Sequence, residues 1–299
     1  MTLTTAPLAI TCFALLAAGY ALFFILARQP RLAPVIREAW PILHIETLIV
    51  TVVAGSIWIG GWVLTAVLLA HAIRVGFEVT KVTALRGVTP PPLVVGLGIA
   101  AFSGLAALLP LTLICALGLA GVILCLGVLK FGSLHPKSRY SIALDVLAFP
   151  LLPLIVFTAA GMQGSVGVWL LLAFILVETF DSYALLGGKL FGKRLAFPLL
   201  SPKKTIEGLV IGAAMLMLTA AGLGALLGDI PIWTSAAIAL FTGALTLTGD
   251  LAASRLKRAS GVKDFPVVLP HQGGLLDTTD AWIATAAGLI ALAAFTGLA

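Results

Sequence analysis

The acidic residues of the C-terminal half are grouped where apolar runs end. Seven of the chain's 12 acids fall in two charged stretches: Glu178, Asp181, Glu207, Asp250, Asp264, Asp277 and Asp280. Asp181 follows directly on an apolar run, Asp250 ends another, and Asp280 begins the last one. Acids at helix ends can converge on a shared surface without the full cost of burial in a membrane. Converging carboxylates would suit a hard divalent cation such as Mg²⁺, which keeps substrate phosphates as further ligands.

Asp277 and Asp280 are spaced three residues apart, which places both carboxylates on one face of a helix. Two acids on one face could share a cation. They could also cap the last helix, because a carboxylate there accepts hydrogen bonds from free amides and favours the helix dipole. Lys263, Asp264 and the glycine pair at 273–274 lie just upstream. This concentration of charge and glycine favours the metal interpretation.

The segment SPKKT has the residue types of a phosphate site. It contributes Ser201, Lys203, Lys204 and Thr205, with Glu207 two residues further on. Where hydroxyls and lysines open a helix, the free backbone N–H groups and the helix dipole add to anion binding. The alternative is a basic anchor that contacts only lipid headgroups.

Carboxylates for a metal and cations for phosphates, both at a membrane face, predict phosphoryl or nucleotidyl transfer to a lipid. In that chemistry a metal neutralises the transferred group, and the protein mainly positions its substrates. His271 could act as a general acid or base, although a single interfacial histidine is more often structural.

The composition predicts the elements that must position these residues. Of the 299 residues 61% are hydrophobic and 10% are charged, against about 25% charged in a soluble domain. The predicted fold is therefore all-α, a polytopic membrane bundle of about 9–10 transmembrane helices. We divide the chain into N-terminal transmembrane helices, residues 1–177, and a C-terminal transmembrane catalytic region, residues 178–299. The catalytic region has two charged cytoplasmic loops, at 178–208 and 249–280.

The basic residues predict the orientation of the bundle. Apolar runs of spanning length lie at 7–27, 92–109, 111–129, 142–160, 206–228, 231–249 and 281–298, with a shorter one at 165–180. Residues 46–76 are either one tilted helix or two helices broken near GSIWIGG. Only two helices put all 18 Lys and Arg on one side, which the positive-inside rule assigns to the cytoplasm. The net charge of +6 is therefore explained by topology, and no nucleic-acid partner is expected.

Three ordered motifs in residues 178–280 resemble those of the phosphatidate cytidylyltransferases, also called CDP-diacylglycerol synthases. The family's signature is similar to S-x-x-K-R-x-x-x-x-K-D, then P-G-H-G-G and D-R-x-D after a short apolar run. The matching residues are Ser254, Lys257, Arg258, Lys263, Asp264, Pro270, Gly273, Gly274, Asp277 and Asp280. Upstream, SPKKTIEG resembles S-P-K-K-T-x-E-G, DSYALLGGKLFGK resembles D-T-x-A-x-x-x-G-x-x-x-G-K, and GDLAAS supplies G-D-L.

Three positions depart from that signature. The histidine is displaced by one position, to His271, and Gln272 follows it. The arginine between the last two acids is replaced by Thr278, and a glycine by Pro266. The carboxylates and lysines are retained. The departures therefore bear on the acceptor and on the rate.

The resemblance implies an integral membrane enzyme that transfers the cytidylyl group of CTP to phosphatidate or another lipid phosphate and releases pyrophosphate. Its cofactor would be Mg²⁺ or another divalent cation. The implied catalytic residues are Lys263, Asp264, Asp277 and Asp280, and the implied metal ligands are Asp250, Asp264, Asp277 and Asp280. The implied substrate-binding residues are Asp181, Ser201, Lys203, Lys204, Thr205, Glu207, Ser254, Lys257, Arg258 and His271. Glu207 would orient Lys203 or Lys204.

The resemblance also implies a location and partners. The enzyme would lie among the lipids of a bacterial inner membrane, with its active site on the cytoplasmic side, and either a monomer or a homodimer is compatible with it. Three alternatives stay open: a CTP-dependent kinase of a polyprenol-like alcohol, a transporter, and an inactive homologue. The kinase would release CDP instead of pyrophosphate. A transporter would place its charges near the membrane midplane in two related halves, whereas these charges lie at helix ends.

Overall fold

The fold is a bundle of apolar helices. The computed structural model describes residues 5–31, 33–84, 90–132, 139–228, 230–268 and 273–297. Within these ranges nine helical segments are long and apolar enough to cross a bilayer, which confirms the predicted polytopic helical membrane protein.

The described helices are α1 (Thr5–Leu26), α2 (Ala33–Ile59), α3 (Gly61–Ala84), α4 (Pro92–Ala106), α5 (Leu111–Phe131), α6 (Arg139–Val146), α7 (Leu152–Met162), α8 (Gly167–Phe191), α9 (Ile206–Gly228), α10 (Ile232–Ala259) and α11 (Leu275–Thr296). A π-helical turn at Leu147–Leu151 joins α6 to α7, so that these two helices form one span. At 15 residues, α4 is shorter than the usual spanning length. The nine long spans and α4 together account for the ten predicted segments.

The stretch 46–76 is two helices, as the charge distribution predicted. The break falls at Gly60 and Gly61, whose φ angles are 67° and 51°. Glycine adopts positive φ without the steric penalty that a Cβ would bring, and this explains why the GSIWIGG sequence interrupts the helix.

Two helices extend further than predicted. α8 continues to Phe191 and α10 to Ala259, so residues 178–191 and 249–259 are helical and their prediction as loop was wrong. The division at residue 178 consequently falls inside α8. Charge did not end these helices, because the Lys204 ammonium lies beside Asp181 on α8 and Asp250 on α10.

The SPKKT segment is a strand. β1 (Leu195–Phe197) and β2 (Ser201–Thr205) form an antiparallel pair, with Leu195 opposite Thr205 and Phe197 opposite Ser201. The expectation that SPKKT opens a helix was therefore wrong, since α9 begins only after it, at Ile206. The hairpin nevertheless holds Lys204 against α8 and α10.

Small residues bring the charged helices together. Gly208 and Gly212 on α9 lie against the backbone of α8 at Ala184 and Phe180, where a Cβ would clash. Small residues four apart allow such close approach of membrane helices. Gly249 on α10 likewise faces the Asp280 carbonyl on α11. These contacts fix Asp181, Asp250 and Asp280 at adjoining helix surfaces.

Candidate active site

A lysine and three aspartates from four elements form the centre of the candidate site. The Lys204 ammonium on β2 lies 3.4 Å from an Asp181 oxygen on α8 and 3.3 Å from an Asp250 oxygen on α10. Burial alone would lower the pKa of Lys204, but the carboxylates of Asp181, Asp250 and Asp280 attract its proton and raise that pKa above its usual value. Lys204 therefore acts as the positive centre of this group.

Asp280 adds a third acid from α11. Its side chain is buried, and it lies within electrostatic reach of Asp250, Lys257 and Asp181. The Asp250 Oδ2 atom is buried and accepts no hydrogen bond from any described residue, although the Lys204 ammonium is near. We call Lys204, Asp181, Asp250 and Asp280 the carboxylate centre. Three acids thus surround one ammonium.

Asp277 has different surroundings, although it lies only three residues before Asp280. One carboxylate oxygen accepts from Lys257 Nζ at 2.6 Å. The other accepts from the backbone amides of Phe265 at 2.7 Å and Gly274 at 2.9 Å. Asp277 therefore caps the start of α11 and ties it to the preceding segment. In the structure this carboxylate has the capping role that the spacing had left open, and its role as a metal ligand stays a prediction.

Glu78 on α3 completes the cap of α11. It is fully buried and accepts hydrogen bonds from the backbone amides of Leu275 at 2.8 Å and Leu276 at 2.9 Å. Arg74, one turn earlier, donates to Glu78 at 2.7 Å and to the Pro266 carbonyl at 2.8 Å. Neither Arg74 nor Glu78 was predicted from the sequence to belong to the site. The available signal was an acid inside a membrane helix, which is costly without a function.

A third contact from α3 involves His71, whose Nε2 lies 2.9 Å from the hydroxyl of Thr279. His71, Arg74 and Glu78 follow one another at helical spacing, so that one face of α3 holds both the start of α11 and the segment before it. Thr278 donates to the Gly274 carbonyl at 3.3 Å. The first turn of α11 is thus held at several points.

The start of α9 is also occupied by protein groups. Glu207 accepts from the amides of Lys193 at 3.0 Å and Arg194 at 3.1 Å, and from Arg194 Nε. The Ile206 amide donates to the Arg194 carbonyl, and the Gly208 amide donates to the Thr205 hydroxyl. The expected free amides for phosphate are therefore already bonded. Glu207 braces the hairpin and does not orient Lys203 or Lys204, contrary to the prediction.

The remaining predicted residues differ in burial and in contacts. Ser254 and Lys257 are buried, and Arg258 donates to the Val262 carbonyl at 2.9 Å. Ser201 is half-buried and Lys203 is exposed on β2. Lys263 and Asp264 are exposed and lie 4.0 Å apart, so the structure does not bring Asp264 to the carboxylate centre. His271 lies outside the described residues.

The carboxylate centre suits a divalent cation bound together with phosphates. Among the described residues no three Asp, Glu, His or Cys side chains form a ready-made ligand set. Mg²⁺ in nucleotide enzymes needs only one or two carboxylates, because phosphates and water supply the rest. Asp250 and Asp280 provide two, and the contact of Asp250 Oδ2 with the Lys204 ammonium, at 3.3 Å, shows that this oxygen already faces a cation. The residues therefore fit the metal.

The sequence matches the cytidylyltransferase family over residues 43–296, and the chain belongs to that family of membrane proteins. It is 40% identical over 118 residues to a phosphatidate cytidylyltransferase of Synechocystis, covering 39% of this chain and 40% of that protein. It is 41% identical over 121 residues to a phosphatidate cytidylyltransferase of Haemophilus influenzae, covering 38% and 42%. It is also 35% identical over 133 residues to an uncharacterized protein of Escherichia coli, YnbB, covering 44% of each chain. The match thus spans less than half the length of these relatives.

Proposed function

We propose that the protein transfers the cytidylyl group of CTP to a lipid phosphate, with phosphatidate as the first acceptor to test. The observation that carries this proposal is the carboxylate centre, in which Lys204 lies between Asp181 and Asp250 while Asp280 adds a third acid. Acids that can hold a metal, grouped around a lysine that can contact phosphates, are suited to holding a metal–triphosphate complex. Membership of the cytidylyltransferase family makes CTP the expected nucleotide.

Asp250 and Asp280 would hold Mg²⁺, and Asp181 would lie beside Lys204. When bound, the ion would neutralise the charge that develops on the transferred phosphoryl group. The Lys204 ammonium occupies space among the same carboxylates. It would move from the acids to the phosphates as the nucleotide complex binds, which keeps the local charge balanced.

The chain's own residues would position the two substrates. Lys203 is exposed beside Lys204 and would contact the outer phosphates of CTP. Lys257 would hold Asp277, and through it the segment before α11, in place. An oxygen of the lipid phosphate would attack the α-phosphorus of CTP. The bond from that phosphorus to the α–β bridging oxygen would break, and pyrophosphate would leave with the electron pair.

The cytoplasmic side of a bacterial inner membrane is the proposed location of the reaction. The basic residues that precede or belong to the hairpin carrying Lys204 are Lys189, Lys193, Arg194, Lys203 and Lys204. The positive-inside rule places such clusters on the cytoplasmic side. CTP is a soluble nucleotide, so an active site on that face would have access to it.

The test is pyrophosphate release from CTP by purified protein in detergent with Mg²⁺, with and without phosphatidate. Phosphatidate-dependent release, together with an extracted CDP-lipid, is the expected result. Release of CDP with a polyprenol-like alcohol would instead identify a lipid kinase. No turnover of CTP with phosphatidate, other lipid phosphates or alcohols would reject the proposal in favour of an inactive homologue.

A lipid phosphate other than phosphatidate is the second candidate acceptor. Thr278 occupies the position where the phosphatidate cytidylyltransferase signature has an arginine. Its hydroxyl donates a hydrogen bond to the Gly274 carbonyl. The chain therefore has no basic side chain at position 278, between Asp277 and Asp280. A panel of lipid phosphates with different headgroups, assayed at equal surface concentration, would rank the acceptors.

A further inference from the structure

A cavity of about 210 Å³ lies between α1, α2 and α8. All three helices are candidate membrane spans, so the cavity lies among membrane-spanning helices. The residues of α8 that line it extend from Phe174 to Lys189, which corresponds to about 22 Å of helix axis. Its length along the helix matches an elongated molecule better than a compact one.

The lining changes from apolar to charged along the cavity. At one end it consists of Cys12 and Leu16 from α1, Val50 from α2, and Phe174 and Ile175 from α8. At the other end lie Ser182, Tyr183 and the exposed Lys189, on the last three turns of α8. An apolar end and a cationic end complement an amphiphile with a hydrocarbon tail and an anionic headgroup.

Two acids form a polar band between these ends. Glu46 on α2 and Glu178 on α8 both line the cavity, and their side chains are hydrogen-bonded to each other. Ionisable groups within membrane helices are costly and generally mark functional sites. A hydrogen bond between two carboxyl groups requires a proton on one of them, so the pair is a polar group that can both donate and accept. A phosphate is expected at the Lys189 end because that end carries the basic side chain.

We propose that this cavity binds the glycerolipid phosphate that serves as the acceptor. Its phosphate would lie toward Lys189, its glycerol region beside Glu46 and Glu178, and an acyl chain toward Phe174. This inference rests on the proposed function for the identity of the acceptor. Asp181 of the carboxylate centre directly precedes Ser182, so the cavity and the centre occupy adjoining faces of α8.

Photolabelling tests occupancy without depending on catalysis. Phosphatidate with a diazirine near the end of one acyl chain is expected to label Cys12, Leu16, Val50 or Phe174, as located by mass spectrometry. Ala17 and Ala18 are both exposed, but only Ala18 lines the cavity. Ala18→Trp should therefore suppress this labelling, and Ala17→Trp should leave it unchanged. Labelling spread over outward-facing residues such as Ile10 and Phe13, unaffected by Ala18→Trp, would overturn the proposal.

Steady-state kinetics provide a second readout. Ala18→Trp should raise the KM for phosphatidate about fivefold or more, because it fills space that an acyl chain would occupy, while the KM for CTP stays unchanged. Equal changes in both KM values would indicate general damage and contradict an acyl-chain site. If the wild-type protein shows labelling of the cavity but no turnover, the proposed reaction fails while the lipid site stands.

A double variant tests the role of the acidic pair Glu46 and Glu178. Acids within membrane helices are costly, so replacing both members of the pair by apolar residues of similar volume removes that cost and leaves neither acid without its partner. The double variant Glu46→Leu/Glu178→Leu should therefore keep its thermal stability. If the pair orients the lipid, this variant should still have a raised KM for phosphatidate. An unchanged KM would show that the pair has only a structural role.

Discussion

The carboxylate centre and the start of α11 use the same residue types in opposite ways. At the start of α11, Asp277 and Glu78 accept hydrogen bonds from four backbone amides, and both also contact a cation. In the carboxylate centre, Asp181 and Asp250 share the Lys204 ammonium at 3.4 and 3.3 Å, and among the described residues no backbone amide donates to Asp250 Oδ2. Saturated carboxylates stabilise a fold, whereas unsaturated ones remain able to bind a ligand.

The comparison predicts that activity and stability respond in opposite ways at Asp280 and Asp277. Asp280→Asn should reduce CDP-lipid formation by at least about 100-fold, since it removes a proposed metal ligand. Its melting temperature should be unchanged or higher, because repulsion with Asp250 and Asp181 is relieved. Labelled CTP incorporation and thermal unfolding in detergent are the measurements. Cys115→Ser on α5 serves as the control, and its activity should equal that of the wild type.

Asp277→Asn should show the reverse balance. An asparagine keeps one acceptor oxygen but loses the charge that Lys257 and two amides use, at a cost of about 1–3 kcal/mol of stability. Activity should fall about tenfold through displacement of the segment before α11, less than for Asp280→Asn. Complete loss of activity with unchanged stability would instead make Asp277 a metal ligand, as the sequence had suggested.

Lys204→Met tests whether the centre is negative enough to bind a cation. The side chains are similar in length, and the variant removes one positive charge from among three carboxylates. Affinity for Mn²⁺ in the absence of CTP should rise about tenfold, as measured by electron paramagnetic resonance of free Mn²⁺. The KM for CTP should rise because a phosphate contact is lost. Unaltered Mn²⁺ affinity would mean that the metal does not use these acids.

Glu78→Gln tests the other side of the comparison. The glutamine side chain has one acceptor oxygen for the two amides of α11 and no charge for Arg74, so stability should fall by about 1–2 kcal/mol. Thermal unfolding measures the loss, and hydrogen exchange at Leu275 and Leu276 should locate it. Glu38→Gln, an exposed position on α2, is the matched control and should change neither quantity. Equal melting temperatures for both variants would show that the cap contributes nothing.

Local sequence was a good guide where a physical rule acts on neighbouring residues. The apolar runs predicted the spans because a bilayer requires about 20 apolar residues per helix. The distribution of Lys and Arg predicted the break that the structure places at Gly60 and Gly61. Helix ends were less predictable. α8 and α10 continue through Asp181 and Asp250 because the Lys204 ammonium approaches both carboxylates from β2, outside either helix.

By itself, the sequence determined that this chain is a helical membrane protein, and the motifs of residues 178–280 pointed to the family. Residue types and spacing also supplied the acids and lysines of the site. Only the tertiary structure decided which acids share Lys204 and which cap α11. Glu78 and Leu275 are 197 residues apart in the chain, and their hydrogen bond depends on α3 packing beside α11. Whether a carboxylate is satisfied depends on such partners, and spacing within one helix carries no information about them.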